Sequence, residues 1–123
     1  MAKVVVFTPD LLFGSSLVGA LVASGHSAAM CSGVEALESE AVSAACVIVD
    51  LTDSVPERLA ELAQASESGA LEDTALLGYH SHVDPDSRDL GIQAGITKVV
   101  PRSRMHREPG ALVDALLSSA PAS

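Results

Sequence analysis

Five short apolar runs alternate with helical patterns along this chain, and that alternation limits the fold more than any other feature. "KVVVF" (3–7) and "CVIVD" (46–50) are β-branched and unbroken, as strands covered on both faces should be. "HSAAMCS" (26–32), "TALLGY" (74–79) and "TKVV" (97–100) complete the set. The first intervening segment (10–25) repeats Phe13, Leu17 and Leu21 every four residues, and Gly25 suits the position just past a helix end. "VEALESEA" (34–41) is a short helix. In "VPERLAELAQA" (55–65), Val55, Leu59 and Leu62 share a face, and Ser54 with Glu57 makes an S-x-x-E capping box, Pro56 sitting in the first turn. Asp84 and Pro85 mark the start of a fourth helix and Gly95 its end. "PGALVDALLSSA" (109–120) places Leu112, Val113, Leu116 and Leu117 on one face. Such alternation predicts one α/β domain over 1–123, a parallel sheet with helices on both faces.

Composition narrows the function. With 16 acidic residues against 7 Lys and Arg the net charge is −9, a field that repels nucleic acid and anionic membrane. Phe7, Phe13 and Tyr79 are the aromatic residues and Trp is absent, so no stacking platform for single strands exists. No apolar stretch approaches the roughly 20 residues of a membrane helix. The first ten residues do not resemble a signal peptide, because Pro9 and Asp10 cut the apolar run short. Cys31 and Cys46 lie inside apolar runs, which suits buried thiols of a reduced, cytoplasmic protein.

In an open parallel sheet, function gathers outside the carboxyl ends of the strands. Here that edge carries Thr8, Pro9 and Asp10, then Asp50 to Asp53, then Tyr79 to His82, then Pro101 and Arg102. A carboxylate at Asp50 can hold a metal, attack a phosphoryl group or face water. The stretch "YHSHVD" adds His80, His82 and Asp84, and imidazole with carboxylate suits Zn²⁺. The same stretch reads as a polar loop whose Asp84 caps the next helix. "TPDLLFGSS" opens a helix after the first strand, where phosphate cradles occur, but G-x-G-x-x-G is missing. The simpler reading is that Asp10 caps that helix and Gly14 lets it pack closely on the sheet.

The whole chain resembles the receiver domain of response regulators, the CheY-like family. The resemblance rests on length, element order, "SGVEALESEAVSAACVIVDLTD" around Asp50, and "GIQAGITKVV" before the last strand. It implies a flavodoxin-like (βα)5 three-layer sandwich with a five-stranded parallel sheet. It places Asp50 at the phosphoacceptor position, with Asp10, Asp53, His80 and Arg102 as neighbours, and it brings Mg²⁺ as the expected ion.

It also implies no catalysis beyond self-phosphorylation, a signalling protein or histidine kinase as partner, and a homodimer face built from the fourth helix, the fifth strand and the last helix. Several positions depart from the family. Thr8 and Pro9 stand where it has an acidic pair, so Mg²⁺ would depend on Asp50 with Asp10 or Asp53. His80, or Tyr79 with a shift of one residue, stands where it has Ser or Thr. Arg102 stands for its Lys and Val99 for its aromatic switch residue. An arginine fork at 102 could pair permanently with Asp50. These departures lead to an atypical receiver, phosphorylated weakly or not at all. The alternative is a small-ligand or metal-binding flavodoxin-like protein using Asp10, Asp50, His80 and His82.

Overall fold

The computed structural model describes residues 2–81 and 85–119. The expected alternation is present: β1 (Lys3–Phe7), α1 (Leu11–Ala23), β2 (Ser27–Cys31), α2 (Val34–Ala41), β3 (Cys46–Leu51), α3 (Val55–Glu67), β4 (Ala75–His80), α4 (Pro85–Gln93), β5 (Lys98–Pro101), α5 (Arg102–Arg107) and α6 (Pro109–Ser119). The five strands form one parallel sheet in the order β2-β1-β3-β4-β5. The flavodoxin-like (βα)5 class is therefore correct. One element was not legible: α5 buries a single apolar side chain, Met105, and its polar sequence "RSRMHR" has no helical stripe.

Alternate residues of each strand supply two cores. Val4, Val6, Ile48, Leu77, Tyr79 and Val100 pack under α1, α5 and α6. Val5, Phe7, Val47 and Val49 pack under α2 and α3, and Leu51 and Val99 meet α4 at Gly91. α1 buries Phe13, Gly14, Leu17 and Leu21, the expected stripe. Its end is turned by Gly25 in the left-handed region (φ 97). Gly14 permits the close approach of α1 to the sheet, since a Cβ there would run into Met30 Sδ and stand 2.9 Å from Thr8 Cγ2. In α6, Leu112, Val113 and Leu116 are spent on the core, while Ala111 and Ala115 face outward.

Two local expectations fail. Ser54 stands at the N-cap position of α3 but makes no side-chain cap bond. Its backbone is left-handed (φ 47, ψ 41), whereas a capping side chain needs an extended cap residue. The buried face of α3 is Val55, Arg58, Leu62 and Ala65, with Leu59 only partly covered. An arginine has taken a core position. Asp84, assigned above as a cap, lies outside the described residues.

Both cysteines are free and buried. Burial pushes the Cys46 thiol up to about 12 and the Cys31 thiol, helped by nearby Glu40, up to about 11. In the unfolded chain these thiols ionise near their ordinary value of 9.0, while the folded chain keeps them protonated. The unfolded state thus loses protons first, and stability falls as pH rises through the window from 9.0 to about 12. The urea midpoint should be insensitive to Cys46 ionisation below that window and decline within it. Cys46→Ala should lower the midpoint at neutral pH and flatten the alkaline decline.

Candidate functional site

Register places Asp50 at the carboxyl end of the central strand β3, opposite Tyr79 of β4. Paired residues in a parallel sheet point to the same face, so Asp50 and Tyr79 share a side with Thr8, just beyond β1. Asp50 is 2% exposed. A carboxylate so buried needs hydrogen-bond donors, and both oxygens find them within the protein. The Thr8 hydroxyl donates to Oδ2 at 2.6 Å. The Thr52 amide and hydroxyl donate to Oδ1 at 2.8 and 2.5 Å, closing a tight turn after the strand. Thr8 Oγ1 in turn accepts from the Asp10 amide at 3.0 Å, which ties the β1–α1 turn to the same carboxylate.

The charge beside Asp50 comes from Arg58. Its Nη1 donates to the Asp50 carbonyl at 2.7 Å and lies 3.9 Å from Oδ2. The guanidinium carbon sits 5.8 Å from the centroid of the Phe7 ring. Both side chains are nearly inaccessible, 7% for Arg58 and 3% for Asp50. At this separation the Coulomb attraction is about 4 kcal/mol for an effective dielectric near 20. Desolvating two ions costs a similar amount, so the pair adds little net stability while its rupture costs about 3–5 kcal/mol.

Arg102 does not reach Asp50. It stacks on Phe13, 4.1 Å from the ring centroid, with Nη2 3.7 Å from Asp10 Oδ2. Asp10 is half-exposed and accepts from the Phe13 amide at 3.0 Å, the cap that the sequence suggested for α1. Asp53 is 70% exposed and stands 3.9 Å from Arg58 Nη2. His80 pairs with Leu51 across the ladder, on the face opposite Asp50, and its Nδ1 contacts the Ser81 carbonyl at 2.9 Å. His82 lies outside the described residues. Val99 is buried in the core against Gly91 of α4. The expected group thus divides. Asp53 comes near Asp50 only through Arg58, and Asp10 with Arg102 forms a separate pair at the rim.

Tyr79, rather than His80, faces Asp50 from β4. Its hydroxyl lies among Thr8, Asp50 and Asp10 but makes no hydrogen bond of acceptable geometry. Burial drives the phenol well above its ordinary range; Thr8 opposes this, and the Asp50 and Asp10 carboxylates push it further up. Its ring packs on Phe13 at 5.0 Å between centroids, and Phe13 stacks on His106 at 5.8 Å. Beside them runs a groove of about 430 Å³ lined by Phe13, Ser81, Arg102, Ser103 and His106.

These residues do not fit Mg²⁺. The ion takes oxygen ligands in a near-octahedral shell and needs carboxylates free to turn toward it. Both Asp50 oxygens already accept from Thr8 and Thr52, the Asp50 carbonyl accepts from Arg58, and Asp10 is committed to Phe13 and Arg102. Among the described residues, no three His, Cys, Asp or Glu side chains are placed to share a metal ion.

Solved structures with the same architecture are numerous. The chain matches a response regulator from Thermotoga maritima with TM-score 0.76 and 21% identity, covering 95% of this chain and 98% of that one. It matches the chemotaxis protein CheY4 of Vibrio cholerae with TM-score 0.78 and 16% identity, covering 94% and 98%. The receiver domain of the Francisella response regulator 1452 gives 0.78 and 12%, covering 98% and 100%. At these identities the likeness establishes the fold: this chain has the response-regulator receiver fold. No family model matches the sequence, and no curated protein does.

The Thr8 bond has a measurable weight. Thr8→Val keeps the shape but leaves Asp50 Oδ2 without its donor in a buried place. Stability in urea should fall by about 1.5–3 kcal/mol. In an Asp50→Asn background the same change should cost clearly less.

Proposed function

We infer that this chain is an atypical receiver-like signalling domain of the cytoplasm that acts by protein–protein contact, with weak or no phosphorylation at Asp50. One observation carries the reading: the Asp50 carboxylate is sealed, each oxygen already held by a threonine. Phosphoryl transfer to a carboxylate needs an oxygen free to attack and a cation to offset the donor's charge. Thr8 and Pro9 withhold the metal carboxylates, and Arg102 is drawn away to Asp10 and Phe13. A bulky phenol, Tyr79, fills the space that a small hydroxyl would leave open. The domain is not an enzyme on this reading.

Its partner is a protein, a histidine kinase or another signalling component, and not a nucleic acid, given the charge of −9. Leu11 and Leu12, 69% and 87% exposed at the start of α1, offer apolar contact next to the functional edge. Leu90 and Ile92, both 42% exposed on α4, support the homodimer face. No helix among the described residues is long and apolar enough to cross a membrane.

The deciding experiment adds beryllofluoride and Mg²⁺ to the protein while amide NMR spectra are recorded. The reading expects no saturable shifts at residues 50–53. Large saturable shifts there would restore a conventional phosphorylation switch.

The second reading, a small-ligand protein, draws on the groove beside Phe13, lined also by Ser81, Arg102, Ser103 and His106. Mass and metal analysis of protein purified without a His-tag separates the two. A stoichiometric small molecule or Zn²⁺ would favour the second.

A further inference from the structure

We propose that Arg58 is the resident cation of the Asp50 site. Its guanidinium supplies, from α3, the positive charge that a divalent ion would otherwise bring, and it holds the β3–α3 turn in one closed state. This rests on the reading of Asp50 as a receiver-like site that works without phosphorylation.

Arg58 is the buried one among the described arginines; Arg88, Arg102 and Arg107 are exposed and Arg104 is partly exposed. Three carboxylates approach its guanidinium: Asp50 at 3.9 Å, Asp53 at 3.9 Å and Glu61 at 3.8 Å. They are not equivalent. Asp53 is 70% exposed and Glu61 35%, so water screens them. Asp50 is 3% exposed, so its charge depends on Arg58. Thr8 and Thr52 donate to both oxygens of Asp50 but carry no charge. Arg102, the cation that follows β5 at the carboxyl edge, is engaged with Asp10.

The position is fixed from three sides. The 2.7 Å bond from Nη1 to the Asp50 carbonyl anchors the fork to β3, the Phe7 ring lies under it, and the helix backbone tethers it eight residues from Asp50. An incoming metal ion would meet a covalently tethered cation already held against the end of β3. A tethered cation is present at a fixed, high effective concentration and cannot be chelated away. Arg58 is thus a positioning residue, acting on Asp50 and on the turn that carries Thr52.

The test is a double-mutant cycle on the full chain, with Arg58→Met, Asp50→Asn and the double variant, read by thermal melting. Arg58→Met should lower Tm by roughly 10 °C or more. In the Asp50→Asn background the same change should cost less than about half as much, because no buried charge is left to neutralise. Arg58→Lys, which keeps the charge but loses the fork, should recover most of the loss. Equal costs in the two backgrounds, with Lys no better than Met, would show that Arg58 only packs. That outcome overturns the inference and leaves the reading of a phosphorylation-independent site standing.

Should Arg58→Met fail to fold, the double variant decides. Folding regained by removing the carboxylate supports the inference, and continued unfolding overturns it. Amide shifts of wild-type residues 50–53 that saturate with Mg²⁺ and beryllofluoride would overturn the reading itself, and the inference with it.

Discussion

A single carboxylate organises the carboxyl edge of this sheet. Asp50 closes the central strand at a depth where water cannot serve it. Each group around it is there on its account. Thr8 bends toward it from β1, Thr52 folds back on it, and Arg58 crosses from α3 to balance its charge. The arrangement is expensive in desolvation, and its return is rigidity more than stability. A buried polar cluster whose members bond one another favours one geometry, and here Thr8, Thr52 and Arg58 fix the β1–α1 and β3–α3 turns together.

The rim follows a different logic. Asp10, Arg102, Phe13 and His106 associate with one another rather than with Asp50. Phe13 links the two groups, tilted against Tyr79 beneath and stacked with Arg102 and His106 beside it. The edge therefore holds two layers: a sealed polar layer below, and an aromatic and cationic layer above that borders the groove.

The fold was legible because period and punctuation agreed. Apolar β-branched runs, a four-residue repeat at Phe13, Leu17 and Leu21, and a turn glycine at Gly25 all pointed to the same elements. The site was legible only in part. Its centre, Asp50, follows from strand order alone. Its partners did not, because they depend on side-chain direction. Arg102 has the right charge at the right strand end, yet a ring 4.1 Å away competes for it. Arg58 was missed because a polar residue is read as solvent-facing; the signal available was its spacing, three after Val55 and four before Leu62, on the stripe the helix buries. Tyr79 could not be told from His80 without the register, since one residue decides the face. The capping box at Ser54 failed for a similar reason: the motif assumes an extended cap residue, and this turn is left-handed.

The strand order has a consequence for how the chain assembles. β1 lies inside the sheet, and β2 and β3 close on either side of it. All the donors to Asp50 come from Thr8, Thr52 and Arg58, so they have been synthesised before β4 begins. Among these bonds the one to Thr8 closes a loop of 42 residues, while the others are local to the turn and the first helical turns that follow. Loop-closure entropy grows slowly with length, so the single long closure is modest in cost. The first half of the molecule thus encodes its own functional edge. The second half adds Tyr79, Arg102 and His106 around Phe13, laid over interactions written earlier in the chain.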